Sequence, residues 1–521
     1  MIRRFLTSPA TLVARNVAAN ALGRSWSMLM NFAFVPIYIR LLGIEAYGVI
    51  AFFFTLIALF SFLDLGLSST LNREMARRTG AAIPTDEARD VVRTMEVIYW
   101  GIGFFISACV ICAAPLIVDH WLKAPGMSRD TLVAAIRLMG VVIALHWPSG
   151  LYSGGLSGLQ RQVTANTIDA VLASARGIGA VLILWLVTRS VEGFFLWQAV
   201  ISLGTVTVVR GALMRALGRP TRRARFDTRI LRETWRFAGG MTALSIVSIM
   251  VMYSDKVVLT AMLPLATYGR YMLANTLAAT SATFALAVFA AMYPRLTQLV
   301  AAGDHAEIKR AYHSGTQLIA LTVFPLAFVV ALFSRELILF WTWNPALATE
   351  VAPIASVLVI GSALNSVMLL PYALQLAHGS TRLSLISNLV SVIVLVPLTF
   401  VLTKAFGAIG AAFGWPLLNL GYVLFLAPIV HRRLLPGEMF AWYVRDLLPP
   451  IAAALMVTVT ARVLIPHDTP AITGFLLAGV AGAVALLACA LTTTWGTEVI
   501  AGFRNRMWPG RADLARDRRL D

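Results

Sequence analysis

The chain has 521 residues, 59% of them hydrophobic and only 13% charged, with 43 Lys and Arg against 25 Asp and Glu for a formal net charge of +18. Soluble domains are about 45–50% apolar and about 25% charged, so a single water-solvated core is excluded and a lipid-solvated chain is indicated. The positive excess lies in short loops between apolar runs, which points to the anionic cytoplasmic leaflet as its partner and excludes nucleic acid.

A helix crosses a bilayer with about 20 mostly apolar residues. Fourteen stretches qualify in chain order: 15–39, 46–70, 94–118, 132–154, 164–187, 191–213, 236–262, 267–293, 313–334, 351–376, 383–403, 407–430, 447–465 and 471–494. The expected fold class is all-α, a polytopic membrane protein of about 14 transmembrane helices. No short apolar region leads from Arg3 and Arg4 to a small-residue cleavage site, so the N-terminus is expected to be retained. With the N-terminus placed inside, the cytoplasmic segments hold 31 Lys and Arg and the outer loops 7. That bias supports an even helix count with both termini cytoplasmic, in a bacterial inner membrane. Of the three cysteines, Cys109, Cys112 and Cys489, the first two form a CxxC inside the apolar run FFISACVICAAPLIV and read as small buried apolar side chains, and no disulfide framework is implied.

The segment MRALGRPTRRARFDTRILRETWR (214–236) is the longest and most basic connection, and it follows six stretches. It divides the chain into an N-terminal six-helix bundle (1–214), a basic cytoplasmic linker (215–235), a C-terminal six-helix bundle (236–430), and a last helix pair with a basic tail (431–521). An internal repeat agrees with this division. LLGIEAYGVIAFFFTL (41–56) and MLPLATYGRYMLANTL (262–277) share Leu42/Leu263, Tyr47/Tyr268, Gly48/Gly269, Thr55/Thr276 and Leu56/Leu277, each 221 residues apart. The same offset relates Gly158/Gly379 and Arg161/Arg382. Two halves of six spans have the same orientation, which predicts parallel repeats with a substrate path between them.

Charge inside a span costs at least about 2.5–3.5 kcal/mol, so the polar residues there are candidates for function. In the first stretch Asn16, Asn20, Arg24, Ser27 and Asn31 recur at helical spacing and form one polar stripe, which is expected to face a water-filled cavity or be satisfied by neighbouring helices. In the fifth, Asp169 and Arg176 lie two turns apart on one face, about 10 Å along the axis, too far for a close ion pair. Asp255 and Lys256 are adjacent and point about 100° apart, which fits an ion pair as well as a substrate role. Arg270 and Arg137 sit near outer helix ends, where snorkelling is expected. Asp64 fits pairing with a cavity arginine, ion coupling, or tying down a helix end. His146 precedes Trp147 and Pro148, where a kink is expected. No GxxxxGK[ST] or HExxH occurs, and no outer loop carries an acidic or histidine constellation. The chain is therefore expected not to be an enzyme and to need no cofactor, with Na+ or H+ as candidate coupling ions.

The stretches PIYIRLLGIEAYGVIAFFFTL (36–56), FLDLGLSSTLNREMAR (62–77), GLQRQVTANTI (158–168), YSDKVVLTAMLPLATYGRYMLANTL (253–277) and LAHGSTRLSLISN with FGAIGAAFGW (within 376–415) resemble the polysaccharide-transporter, Wzx-type flippases of the MATE-like (MOP) exporter superfamily. The resemblance covers the first twelve stretches in order. It implies a cavity between two six-helix bundles, and alternating access that carries an undecaprenyl-pyrophosphate-linked oligosaccharide from the cytoplasmic to the periplasmic leaflet. It implies a lipid-linked oligosaccharide and membrane lipids as partners, with a polysaccharide polymerase and a chain-length regulator beside them. Carried onto this chain, the pyrophosphate-facing role falls first on Arg24, then on Arg176, with Lys256 and Arg270 behind them, because the arginine fork suits phosphate oxygens. A drug or cation antiporter of the same fold would place acids where Arg24 stands. A lipid II flippase is closer in chemistry. A structural subunit of a polysaccharide assembly complex would need no polar stripe at mid-membrane.

Overall fold

A computed structural model of the chain describes residues 9–80, 85–466, 469–494 and 496–497. All regular structure in them is helical. The first stretches form α1 (Pro9–Leu42), α2 (Ile44–Phe60) and α3 (Leu67–Gly80), followed by α4 (Thr85–His120), α5 (Arg129–His146), α6 (Pro148–Gly158), α7 (Gln162–Leu186) and α8 (Val191–Ala216). Then come α9 (Thr228–Met262), α10 (Leu265–Ala278), α11 (Thr280–Ala302), α12 (His305–Thr342), α13 (Pro345–Val367), α14 (Leu369–Ala377) and α15 (Thr381–Gly421). A π turn, Tyr422–Leu426, leads into α16 (Ala427–Leu434), and the last two are α17 (Met439–Leu464), which contains the π turn Trp442–Leu447, and α18 (Ala471–Thr492).

Local chemistry sets many of these boundaries. Ser128 caps α5 by accepting from Thr131 N at 3.2 Å, and Ser190 caps α8 by accepting from Gly193 N at 3.1 Å. Asn344 accepts from Leu347 N at 3.1 Å ahead of Pro345, the favoured pairing of a polar cap with proline at the first helical position. Pro148 has no N–H to give the preceding turn, so α5 stops at His146 and a new helix begins, at the expected kink.

Twelve segments among the described residues are long and apolar enough to cross a bilayer, against the fourteen stretches expected. The difference has two places. The segment Arg382–Leu434 holds two of the expected stretches, and its helix breaks at Gly407, whose φ of 63° and ψ of −141° suit a residue without a side chain. The stretch 236–262 lies on α9 and is not among the twelve, and its part up to residue 245 lies outside the residues whose side chains are described. The helix boundaries themselves repeat. The ends of α5 at His146 and α13 at Val367, and the starts of α6 at Pro148 and α14 at Leu369, are each separated by the offset of the sequence matches.

The chain divides into two compact units, Met1–Gly269 and Arg270–Asp521. That division falls after the basic linker, because α9 packs on α2, α3 and α4 and so lies with the first unit. The linker is itself tied down. Arg222 pairs with Asp90 at 2.5 Å, Thr221 N donates to Asp86 at 2.9 Å, and Asp227 N donates to Thr94 Oγ1 at 2.9 Å, all on the first turns of α4.

In the first unit, α3, α4, α6 and α8 share a core that includes Leu71, Met95, Tyr99, Tyr152, Leu156 and Leu213. The repeat motif residues also meet here. A Cβ on Gly48 would lie 2.1 Å from the Leu265 carbonyl oxygen, and one on Gly269 would lie 3.2 Å from Gly48 N, so these backbones touch only because both side chains are absent. Tyr268, fully buried, shares a 2.6 Å hydrogen bond with Thr55 beside them. In the second unit α12 is the centre, packed by α13, α17 and α18, with Val329, Phe333, Ala478 and Ala481 in the seam. Large apolar side chains such as Leu186, Phe425, Val463 and Leu464 stay exposed, as lipid-facing surface should. Cys109 and Cys112 belong to that exposed surface and not to the core, which corrects the expectation for them. Cysteine is small and apolar enough to be placed against lipid without cost. Cys489 is buried.

Candidate functional site

The polar residues of the first and fifth stretches come together because α1 packs along α7. Asn166 Nδ2 donates to Asn20 Oδ1 at 2.6 Å and to its own helix at Gln162 O at 2.8 Å. Gly23 faces the Asn166 side chain so closely that a Cβ there would lie 2.7 Å from Asn166 Oδ1. One turn further, Trp26 Nε1 donates to Ser174 Oγ at 2.9 Å. Beyond that, a Cβ on Gly177 would meet the Phe34 ring at 2.1 Å, so α7 turns its glycine to an aromatic of α1. Polar pairs therefore mark one half of this helix contact and apolar packing the other.

Arg176 lies at the change between them. Tyr38 of α1, His146 at the end of α5 and Asp169 of α7 are the groups that share its electrostatic field. No ion pair between Asp169 and Arg176 occurs among the described residues, as the two-turn spacing requires. Trp197 Nε1 holds the Arg176 carbonyl at 3.2 Å. The buried Nε of Arg176 has no hydrogen-bond partner among the described residues. A buried cationic donor left unmatched is costly unless an anion completes it, which makes Arg176 a candidate for contact with an anionic group.

The other expected residues are placed as follows. Arg24 falls on α1 one turn after Asn20, and its side chain lies outside the described residues. Asn31 is exposed. Asp64 accepts from Ser68 Oγ at 2.8 Å in the turn between α2 and α3, where Leu65 and Gly66 have positive φ. It ties down the start of α3. Lys256 pairs with Asp255 at 2.9 Å, donates to Met252 O at 3.3 Å and lies 5.6 Å from the Tyr253 ring centre. Arg270, the first residue of the second unit, pairs with Glu350 at the start of α13. Asn20, Asp169 and Arg176 are thus gathered on α1 and α7, while Asp64, Asp255, Lys256 and Arg270 are each engaged locally.

Sequence reasoning passes over three charged groups that the fold buries. Glu96, 3% exposed, accepts from Tyr152 Oη at 2.5 Å and from Arg210 Nε at 2.5 Å, and pairs with Arg93 at 3.2 Å. Glu336, 1% exposed, pairs with Arg462 at 2.9 Å, and Arg462 lies over the Phe333 ring at 5.4 Å. Asp446 is fully buried against His313 and Gln317. The signal available for Glu96 is a carboxylate inside the stretch 94–118. Arg210, Arg462 and Asp446 stand at or beside the ends of the stretches 191–213 and 447–465, where charge is ordinary, so nothing marks them.

Comparison with known proteins agrees with this architecture. A family model described as polysaccharide biosynthesis protein matches residues 13–300, and one described as MatE matches 242–401. A Shigella flexneri protein named "Putative O-antigen transporter" is 21% identical over 406 residues, 77% of this chain and 94% of that protein. The succinoglycan biosynthesis transport protein ExoT of Rhizobium meliloti is 24% identical over 325 residues, covering 62% of this chain and 61% of its own. Among solved structures, the lipid II flippase MurJ in an inward closed conformation superposes with a TM-score of 0.68 at 12% identity, over 91% of this chain and 98% of MurJ. An inward-facing multidrug resistance MATE family transporter of the MOP superfamily does so with 0.66 at 16% identity, over 78% and 94%. At these identities the structural likeness establishes the fold, an all-helical MATE-like one.

Proposed function

We propose a transport role for this chain, which belongs to the polysaccharide biosynthesis protein family. It is a polytopic membrane protein that moves lipid-linked oligosaccharide repeat units from the cytoplasmic to the periplasmic leaflet of the inner membrane. The mechanism is alternating access, the carrier is undecaprenyl pyrophosphate, and the product feeds O-antigen, capsule or exopolysaccharide. The names of the Shigella and Rhizobium relatives support the substrate class. Both termini are cytoplasmic in this reading, the energy comes from Na+ or H+, a polymerase and a chain-length regulator work beside it, and the chain makes or breaks no covalent bond.

The observation that carries this reading is the buried Nε of Arg176, which has no hydrogen-bond partner among the described residues, beside the polar face of α1. A pyrophosphate offers the oxygens that such a donor lacks, and the resemblance assigns a second arginine, Arg24, one turn from Asn20 in the sequence, to the same role. A cationic drug would be repelled by the same pair. Export by a flippase-null strain complemented with this protein tests the assignment. Arg24→Ala and Arg176→Ala should each abolish surface polysaccharide while the protein still inserts at normal levels, and the Lys variants should recover only part of it. Full export by either Ala variant would remove that residue from the site, and equal export by Lys would reduce its role to simple charge.

A further inference from the structure

The second unit holds a polar cluster outside the proposed substrate site, where α12 meets the C-terminal helices. His313 of α12 lies with Nε2 3.2 Å from Glu438 Oε2, while Nδ1 makes a short contact with Asp446 Oδ2. Asp446 sits in the π turn Trp442–Leu447 and is fully buried, and its other oxygen accepts from Gln317 Nε2 at 2.8 Å. Gln317 Oε1 in turn accepts from Thr494 Oγ1 at 2.8 Å, which fixes the amide with its nitrogen toward Asp446. Glu438 Oε1 is 2.8 Å from Lys309 Nζ. The Lys309 ammonium beside Glu438 holds its carboxyl below the usual carboxylate range.

A neutral imidazole has one N–H and one lone pair. It can donate to one carboxylate, and its lone pair is then set against the other. His431, nearby on α16, shows the contrasting case. Its Nδ1 lies 2.7 Å from the Ala427 carbonyl and its Nε2 3.1 Å from the Tyr312 hydroxyl, so one nitrogen donates, the other accepts, and the ring is satisfied neutral. His313 faces carboxylate oxygens on both sides. We propose that His313, Asp446 and Glu438 form a proton-binding site that carries one proton beyond the neutral imidazole, and that the resulting imidazolium bridge fastens α17 to α12.

The local charge supports the assignment. Lys309 and an imidazolium at His313 offset Glu438 and Asp446, whereas a neutral His313 leaves one negative charge uncompensated beside a carboxylate cut off from solvent. Among the described residues, the other titratable groups beside the site are Tyr312 on α12, His431 on α16 and Tyr443 in the π turn; Tyr312 and His431 are uncharged in the arrangement just described, and the Tyr443 hydroxyl donates to the Val423 carbonyl. The bridge holds while the proton is bound, so its contribution to stability is full below the unfolded-state histidine pKa of about 6.5 and falls progressively as pH rises above it, until the folded protein also releases the proton.

The test uses the full-length protein in detergent micelles with 15N-labelled histidine, the His313 signals being assigned by their loss in His313→Gln. An unperturbed histidine, with a pKa of about 6.5, is neutral at about pH 8. His313 should give the imidazolium pattern there. A neutral-imidazole pattern at that pH would overturn the proposal. A second arm uses Asp446→Asn, which removes one charged acceptor. His313 should then be neutral at about pH 8, and an imidazolium that persists would mean that this triad is not what binds the proton. A third compares thermal unfolding of the wild type with His313→Lys, which supplies a permanent cation. The wild-type midpoint should fall more steeply from about pH 7 to about pH 9 than that of the Lys variant, and parallel profiles would count against the bridge.

Discussion

The third helix of each half is held in place by opposite means. In the first unit, Glu96 of α4 is neutralised within the bundle by Arg210 of α8 and bonded by Tyr152 of α6. At the repeat offset, the positions of Glu96 and Arg210 correspond to Gln317 of α12 and His431 of α16, and neither carries a fixed charge. The carboxylate that completes the second cluster, Asp446, comes from outside the six-helix pattern, on α17. A further pair at the other end of α12, Glu336 with Arg462, again joins α12 to α17, here with the carboxylate on α12 and the cation on α17. Where the first half closes its buried charge upon itself, the second opens it to an added helix pair. The same fold position thus serves as an internal lock in one unit and as a docking point in the other.

Removing partners one at a time breaks this comparison in a fixed order, read as unfolding midpoints in detergent. The largest effect is expected from Arg462→Met, which leaves Glu336 charged and buried without its cation. The loss should be about 3 kcal/mol, and Glu336→Gln combined with it should recover most of that. A neutral result for Arg462→Met would mean that apolar packing alone holds α17. Arg210→Met should cost less, about 2 kcal/mol, because the Arg210 side chain is 46% exposed and water screens part of the loss. If it exceeded the Arg462 effect, the internal lock and not the docking pair would be the stronger device. Arg93→Ala, on the 51% exposed rim of the same cluster, should shift stability by less than about 0.5 kcal/mol. A larger shift would make Arg93, and not Arg210, the main counter-charge of Glu96.

Much of the fold was legible because lipid imposes a simple rule. Every backbone polar group in the bilayer must be satisfied within its own segment, so apolar length alone places helices. The offset between halves was legible for a related reason, since Tyr47, Gly48, Tyr268 and Gly269 mark a crossing whose close approach tolerates no larger side chain. Asn20, Arg24 and Arg176 stood out because polar side chains at mid-span are expensive. Glu96 lay within reach of that argument, whereas Asp446 and Arg462 stand near span ends where charge is cheap.

What the sequence determined by itself is therefore the membrane-spanning, all-helical architecture, its repeat and the polar face of α1, each fixed by one-dimensional spacing and solvation cost. Tertiary structure alone decided which charges are spent in pairs and which remain open. Glu336 with Arg462 and Arg270 with Glu350 are paired across helices, and the buried Nε of Arg176 has no hydrogen-bond partner among the described residues. Pairing depends on distances between helices far apart in the chain, as the 126 residues between Glu336 and Arg462 illustrate, and no spacing within a helix encodes them.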